Sequence, residues 1–292
     1  MIFHRSLSSI SNKIDIIVLL SVTLFLQVSS SEETHSCGDR SDNLWSETDH
    51  CDMERGRVAM VLGASGETGS QVVRTLVQRE EFVKVILVNR RQLQFPDERQ
   101  YNEKIVQHIV DFDNLSSVHS EVFRGVDTAF CCLGTTRRIA GAEGFVKVDH
   151  DYVLAAATLL KEAGCPEFHL LTSTGAKASS WLLYPSTKGK VEEAVKMLAF
   201  NKLSIYRPGL LLCARNKTRF FGNLLSFRTS MISEIFSEEI FQTISWAVDR
   251  AGWWSVTTVA VARVMVDNSM TRQSSGAEIL EQTDIVTRSS ER

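Results

Sequence analysis

The chain predicts a single-domain α/β protein: a doubly wound parallel sheet with helices on both faces and a short helical elaboration toward the C-terminus. Three observations lead there. From Arg57 onward, apolar runs of strand length alternate with segments of helical period, the pattern of a parallel sheet with crossover helices. The first run opens into glycines three apart, Gly63, Gly66 and Gly69. The composition is that of a protein with a full core: 292 residues, 43% apolar, with a net charge of −3. So small a charge gives no field for nucleic acid or an anionic membrane, and no nucleic-acid partner is expected.

The elements follow in order. RVAMVLG, from Arg57, is the first buried strand, and SQVVRTLVQRE is a helix with Val72, Val73, Leu76 and Val77 at helical spacing. VKVILVNR gives a second strand and KIVQHIVDFD a third, followed by NLSSVHSEVF as a helix opened by an Asn114 cap. GVDTAFCCLG is the fourth strand, on which Cys131 and Cys132 point to opposite faces. A long helix runs from Phe145 to Ala163 and stops at Gly164. EFHLLTS is the fifth strand, Pro185 to Phe200 a helix, and LSIYRPG the sixth strand. Beyond Arg215 the pattern loosens: RFFGNLLSFRTSMISEIFSEEIFQTISW gives one or two amphipathic helices, and Ser255 to Asn268 a better one. The apolar residues Phe220, Phe221, Leu224 and Leu225 suit either a cap over a substrate pocket or a partner surface.

The first 30 residues read differently. Arg5 and Lys13 precede an apolar stretch from Ile16 to Val28, shorter than the ~20 residues of a membrane span. The segment reads as a secretory signal peptide with cleavage after Ser30, as a short anchor, or as sequence upstream of a working start at Met53. Residues 31–56 form a polar linker whose Cys37 and Cys51 would pair in an oxidising compartment. The domain proper is therefore expected over 57–292, with residues 215–292 as its C-terminal elaboration. Six cysteines without a CxxC pair and seven scattered histidines give no metal site.

Glycine costs about 0.5–1 kcal/mol in regular structure relative to alanine, so three at a strand–helix junction need a reason. A helix N-terminus carries unpaired N–H groups and partial positive charge, which suit phosphate. Gly63 permits the tight turn, Gly66 the close approach of a pyrophosphate, and Gly69 the packing of helix on sheet; Ser65 and Thr68 add hydroxyls. The spacing GxxGxxG between strand and helix is that of a dinucleotide-binding Rossmann fold. The second strand ends in Asn89-Arg90-Arg91. A carboxylate at this point would hold a ribose diol and repel a 2′-phosphate, whereas guanidinium groups bind that phosphate bidentately. NADP(H) is expected over NAD(H).

The stretch LLTSTGAKASSWLLYPSTKGKVEEAV carries Ser173, Tyr184 and Lys188. Tyr-x-x-x-Lys places both side chains on one helical face. A phenol has a reference pKa of about 10 and an adjacent ammonium favours its ionised form. In such a set Ser173 hydrogen-bonds the substrate oxygen. Tyr184 supplies or removes its proton as hydride passes to or from nicotinamide. Pro185 suits a first helical position and leaves Tyr184 at the cap.

Taken together, GASGETG, NRR, CCLGTTR, GAEGFVKVDHDYV, YxxxKG and RPGLLLC resemble the Tat-interacting-protein branch of the atypical short-chain dehydrogenase/reductases. The likeness is close from Arg57 to about Arg219 and looser over SVTTVAVARVMV and AEILE. It implies NADPH held by Ser65, Gly66, Glu67 and Thr68, by Arg90 and Arg91, and by Leu133 and Gly134. It further implies Tyr184 as proton donor or acceptor beside Lys188, and contacts from Leu211 and Arg219, although Arg219 also reads as a surface charge. Where that family has SSK this chain has Thr172-Ser173-Thr174, so either Thr172 or Ser173 faces the substrate. Two functions follow from the resemblance. One is an NADPH-dependent reductase of a carbonyl compound. The other is a regulatory protein using NADPH occupancy as a redox signal, with translation elongation factor and nuclear import receptors as partners. The resemblance implies a cytoplasmic or nuclear location; the leader implies the secretory pathway or a membrane anchor.

Overall fold

The computed structural model describes residues 56–95, 99–115, 120–212, 255–271 and 275–291. Expectations for the leader and linker, for Cys213 and Arg219, and for the apolar residues from Phe220 to Leu225 lie outside them. In chain order the elements are β1 (Arg57–Leu62), α1 (Glu67–Val77), β2 (Phe82–Asn89), α2 (Arg99–Lys104), β3 (Ile105–Ile109) and β4 (Thr128–Cys131). Next come α3 (Arg137–Val146), a π-turn (Lys147–Asp151), α4 (Tyr152–Glu162), β5 (Glu167–Leu171), α5 (Leu183–Met197) and β6 (Lys202–Arg207). The last are β7 (Leu210–Leu212), β8 (Ser255–Thr257), α6 (Thr258–Met270), β9 (Gly276–Glu281) and α7 (Gln282–Ser290).

Seven strands pair in the order β3-β2-β1-β4-β5-β6-β9, every pair parallel. β7 and β8 form a separate parallel pair. The chain builds outward from β1 to β3, then restarts at β4 and builds the other way. The crevice at that reversal, past the carboxyl ends of β1 and β4, is where doubly wound sheets take ligands.

Residue alternation explains why the sheet is covered on both faces. Met60, Leu62, Ile86, Val88, Ala129, Cys131 and Leu170 face a layer built by Val153, Ala156 and Leu160 of α4 and Val191 and Val195 of α5. Their sequence neighbours Ala59, Val61, Val85, Leu87 and Phe130 face Val72, Val73 and Leu76 of α1 and Val261 and Met265 of α6. A strand buried on both sides must be apolar at consecutive positions, hence the uninterrupted runs. Each such side chain contributes roughly 1.5–3 kcal/mol by leaving water. Cys131 packs in one layer and Cys132 against the other, on opposite faces as expected.

Several boundaries differ from those expected. The helix expected from Phe145 starts at Arg137, bends at Gly141, where φ is 74°, and widens into the π-turn before α4. The cap expected at Asn114 falls to Asp111, whose carboxylate accepts from the Asp113 amide; 3₁₀ turns at Phe112–Asn114 and Ser120–Phe123 flank residues outside the description. α5 starts two residues before Pro185, with Leu182 as its cap, so Tyr184 lies inside the helix and Pro185 is its third residue. Ser255–Thr257 is a strand, not the start of a helix. The tail supplies a seventh strand to the main sheet, because Gly276–Glu281 pairs with β6 over its whole length.

Candidate active site

The opening turn shows why its glycines are there. Gly63 has φ 82°, and a Cβ on it would stand 2.5 Å from the Cys132 carbonyl oxygen. A Cβ on Gly69 would stand 2.2 Å from the Gly63 carbonyl oxygen, inside any contact real atoms make. The third glycine thus lets the helix close onto the turn itself rather than onto the sheet. At Gly66 the only crowding is 3.3 Å to the same carbonyl, so the turn does not itself require that glycine. Gly66 is the cap of α1 and offers no side-chain cap. The first amides of α1 are therefore left for an external acceptor. Ser65, Gly66 and Glu67 are exposed at this turn, and Thr68 is buried beneath it.

Across the crevice, β2 ends at Asn89, buried, with its Nδ2 lacking a hydrogen-bond partner among the described residues. Arg90 and Arg91 follow directly and are exposed. After β4, Leu133 is half-buried and Gly134 exposed. The cradle fits a dinucleotide: a turn with glycine at Gly63, Gly66 and Gly69, a helix start without a side-chain cap, an orphaned amide, and two cations at the carboxyl edge of the sheet.

The residues after β5 divide cleanly. Thr172 donates its hydroxyl to Glu192 Oε1 at 2.6 Å. Glu192 is itself held by Arg207 Nη2 at 2.5 Å, and Arg207 also meets Glu281 at 2.7 Å. Thr172 is thus bound into the sheet–α5 interface. Ser173 Oγ is buried and has no hydrogen-bond partner among the described residues. Of the two hydroxyls, Ser173 is the one left unused.

Tyr184, 48% exposed, stacks on Phe145 with ring centroids 5.5 Å apart. Lys188, one turn further along α5, is buried, and its Nζ lies 2.7 Å from Asp149 Oδ1. Burial disfavours the Lys188 charge, but the Asp149 carboxylate, with Tyr184 and Cys131 nearby, outweighs it and holds the pKa above the ordinary lysine value. The other Asp149 oxygen accepts from the Thr135 amide at 2.7 Å. Sequence reasoning missed Asp149. One acid in a helical run reads as solvated, whereas the π-turn places it 1% exposed against Lys188.

Gly63, Arg90, Leu133, Gly134 and Ser173 all follow the carboxyl ends of parallel strands, and α5 brings Tyr184 and Lys188 to the same edge. Leu211 lies in β7, packed on the α1–α6 side of the core. Among the cysteines, burial pushes the Cys131 and Cys165 thiols up to about 12 and raises Cys132 as well. These thiols are poor redox sensors, since the thiolate is the reactive form.

Residues 63–200 match a family model described as NAD(P)H-binding. Protein HTATIP2 of Rattus norvegicus is 41% identical over 240 residues, covering 80% of this chain and 89% of the rat protein. The mitochondrial protein FMP52 of Debaryomyces hansenii is 36% identical over 168 residues, 56% of this chain and 71% of its own. Among solved structures, MoeE5 in complex with UDP-glucose and NAD superposes with a TM-score of 0.56 at 15% identity, covering 81% of each chain. The UDP-glucose 4-epimerase of Thermotoga maritima gives 0.54 at 14% identity over 76% of each. Such structural likenesses show a shared Rossmann-like fold.

Proposed function

We propose that this chain, which belongs to the HTATIP2 family of NAD(P)H-binding proteins, is an NADPH-dependent reductase of a carbonyl compound. The observation that carries the reading is the buried hydroxyl of Ser173, which has no partner among the described residues, beside a neighbour whose hydroxyl donates to Glu192. A buried polar atom without a partner costs about 1–3 kcal/mol, and such costs gather where a ligand is meant to supply the missing bond.

In this reading the α1 amides, Ser65 and Thr68 hold the pyrophosphate, and Arg90 and Arg91 hold the 2′-phosphate. Leu133, Gly134, Lys188 and Leu211 surround the nicotinamide end. The bound cofactor supplies hydride. Ser173 donates to the substrate carbonyl oxygen and fixes its position. Tyr184, half-exposed and steadied by Phe145, gives its phenolic proton to that oxygen as negative charge develops there. Lys188 presents its ammonium to the ribose hydroxyls. The test is NADPH consumption with a panel of aldehydes and ketones, comparing wild type with Tyr184→Phe. A Tyr184→Phe protein of unchanged turnover removes the proposed proton path.

A second reading is favoured by Trp181, 85% exposed, and Leu182, 44% exposed, two apolar residues immediately before the site helix. Here the protein is an NADPH-sensing binding protein. Partners captured equally well with and without NADPH would defeat it. We place the working protein in the cytoplasm, with family membership as the support. Among the described residues no helix is long and apolar enough to cross a membrane, and the yeast relatives carry mitochondrial in their names. Fractionation of cells expressing the full chain tests the compartment.

A further inference from the structure

We propose that Asp149 is a positioning residue of the cofactor site: it fixes the Lys188 ammonium and the Thr135 amide in the arrangement that receives the nicotinamide-side ribose. This rests on the NADPH reading above and adds to it the residue that makes Lys188 usable.

The geometry points to Asp149 in three ways. First, its carboxylate joins three separate segments: the π-turn that bears it, the loop after β4 through the Thr135 amide at 2.7 Å, and α5 through Lys188 Nζ at 2.7 Å. π-turns inside helices recur at functional sites, and this one carries Asp149 inward while His150 and Asp151 remain partly or fully solvated. Second, Gly134 closes the arrangement. A Cβ there would stand 3.3 Å from Asp149 Oδ1 and 3.9 Å from Lys188 Nζ, so the loop expected to touch the cofactor lies directly on the ion pair. Third, an ammonium has three donors. Among the described residues Asp149 is the carboxylate paired with Lys188, and one such pair uses one of the three donors. Stability alone does not call for such a pair, since well-packed apolar side chains of the same volume do as well or better.

Lys188 is faced by Asp149 from the π-turn, by Tyr184 from its own helix, and by the Cys131 and Cys132 thiols of the β4 end. Asp149 is the single carboxylate among them. Without its charge, the buried ammonium loses the one carboxylate that offsets its desolvation, and it releases its proton at lower pH.

The experiment is fluorescence titration of the full chain with NADPH at a series of pH values between about 7 and 9.5, below the ordinary lysine range. Wild type is expected to bind with a dissociation constant flat over this window. Asp149→Asn keeps an oxygen for the Thr135 amide but removes the charge. Its affinity should fall about tenfold at the low end of the window, equivalent to 1.4 kcal/mol, and further as pH rises. A merely structural residue would weaken binding uniformly, if at all, so a variant with a flat profile overturns the proposal. Should Asp149→Asn not fold, the comparison of Lys188→Met with Asp149→Asn/Lys188→Met serves, because neither buries an unpaired cation. Equal affinities in those two support an action through Lys188; a further loss in the double variant overturns it. Absence of saturable NADPH binding by wild type defeats the cofactor reading itself, a result separable from either of these.

Discussion

Replacing Ser173 with alanine should make the protein more stable and less active at once. The Ser173 hydroxyl is buried with no partner, and its removal relieves a desolvation cost of about 1 kcal/mol, at the low end for such groups. For a domain of this size that raises Tm by roughly 2–4 °C. The control is its neighbour. Thr172→Val keeps shape but removes the 2.6 Å hydrogen bond to Glu192, a bond to a charged group contributing about 1.5–3 kcal/mol. Its Tm should fall by about 3–12 °C. Turnover should respond in the opposite sense. Ser173→Ala loses a donor to the developing oxyanion, a change of about 10²–10³ in kcat, whereas Thr172→Val should retain most of it. Thermal melts without cofactor, followed by NADPH consumption with a reducible carbonyl substrate, read both effects. The reasoning is refuted if Ser173→Ala melts lower than wild type by as much as Thr172→Val, since the hydroxyl would then be bonded in the folded protein.

Other perturbations report on other parts of the site. Arg90→Ala or Arg91→Ala should weaken NADPH about tenfold or more, by loss of one charge-assisted bond, and leave NADH affinity unchanged; parallel titrations with the two cofactors check this. Gly69→Ala forces a Cβ to 2.2 Å from the Gly63 carbonyl, an overpacking cost of about 1–3 kcal/mol. It should lower Tm and abolish NADPH binding together, so a well-folded variant that still binds tightly would show that the turn tolerates a side chain. Burial lowers the His169 pKa, and the rings of Phe130 and Tyr206 stack against it. His169 Nε2 lies 3.8 Å from Glu167, too far for a hydrogen bond. With a depressed folded pKa, the unfolded chain binds more protons, so stability is present above pH ~6.5 and is lost as pH falls through that value. Glu167 and Glu278, both lowered, add to the loss in the same direction at lower pH. Urea melts from neutral pH downward should therefore show a steeper decline in wild type than in His169→Gln.

What could be read in the sequence follows from how local the cause is. The glycine turn and the six strand-like runs were legible because their reasons sit within a few residues: a backbone that must bend, and strands apolar on both faces. The place of Arg90 and Arg91 just past β2 was legible because the apolar run stops at Asn89. Asp149 was not, because its burial depends on a π-turn that inserts one residue into a helix and on a lysine 39 positions away. α3 was missed because Gly141 and Gly144 weaken a helical pattern, and the positive φ at Gly141 shows that the helix does break there. β9 was missed because GAEILE has exposed positions and too few apolar ones; it is an edge strand held by pairing with β6. The start of α7 did carry a local signal, the reciprocal capping of Glu281 and Asp284, which recognition of acid-x-x-acid as a capping box would have found. That Thr172 is bound to Glu192, twenty residues on, could not be read from local spacing.

In the proposed function, uncapped amides at the glycine turn and the Arg90-Arg91 pair together hold a 2′-phosphorylated dinucleotide. Calorimetric titration of the purified full chain with NADPH and, separately, NADH tests it most directly. One saturable site is expected, about tenfold or more tighter for NADPH; equal affinity for the two, or no saturable heat with either, contradicts it.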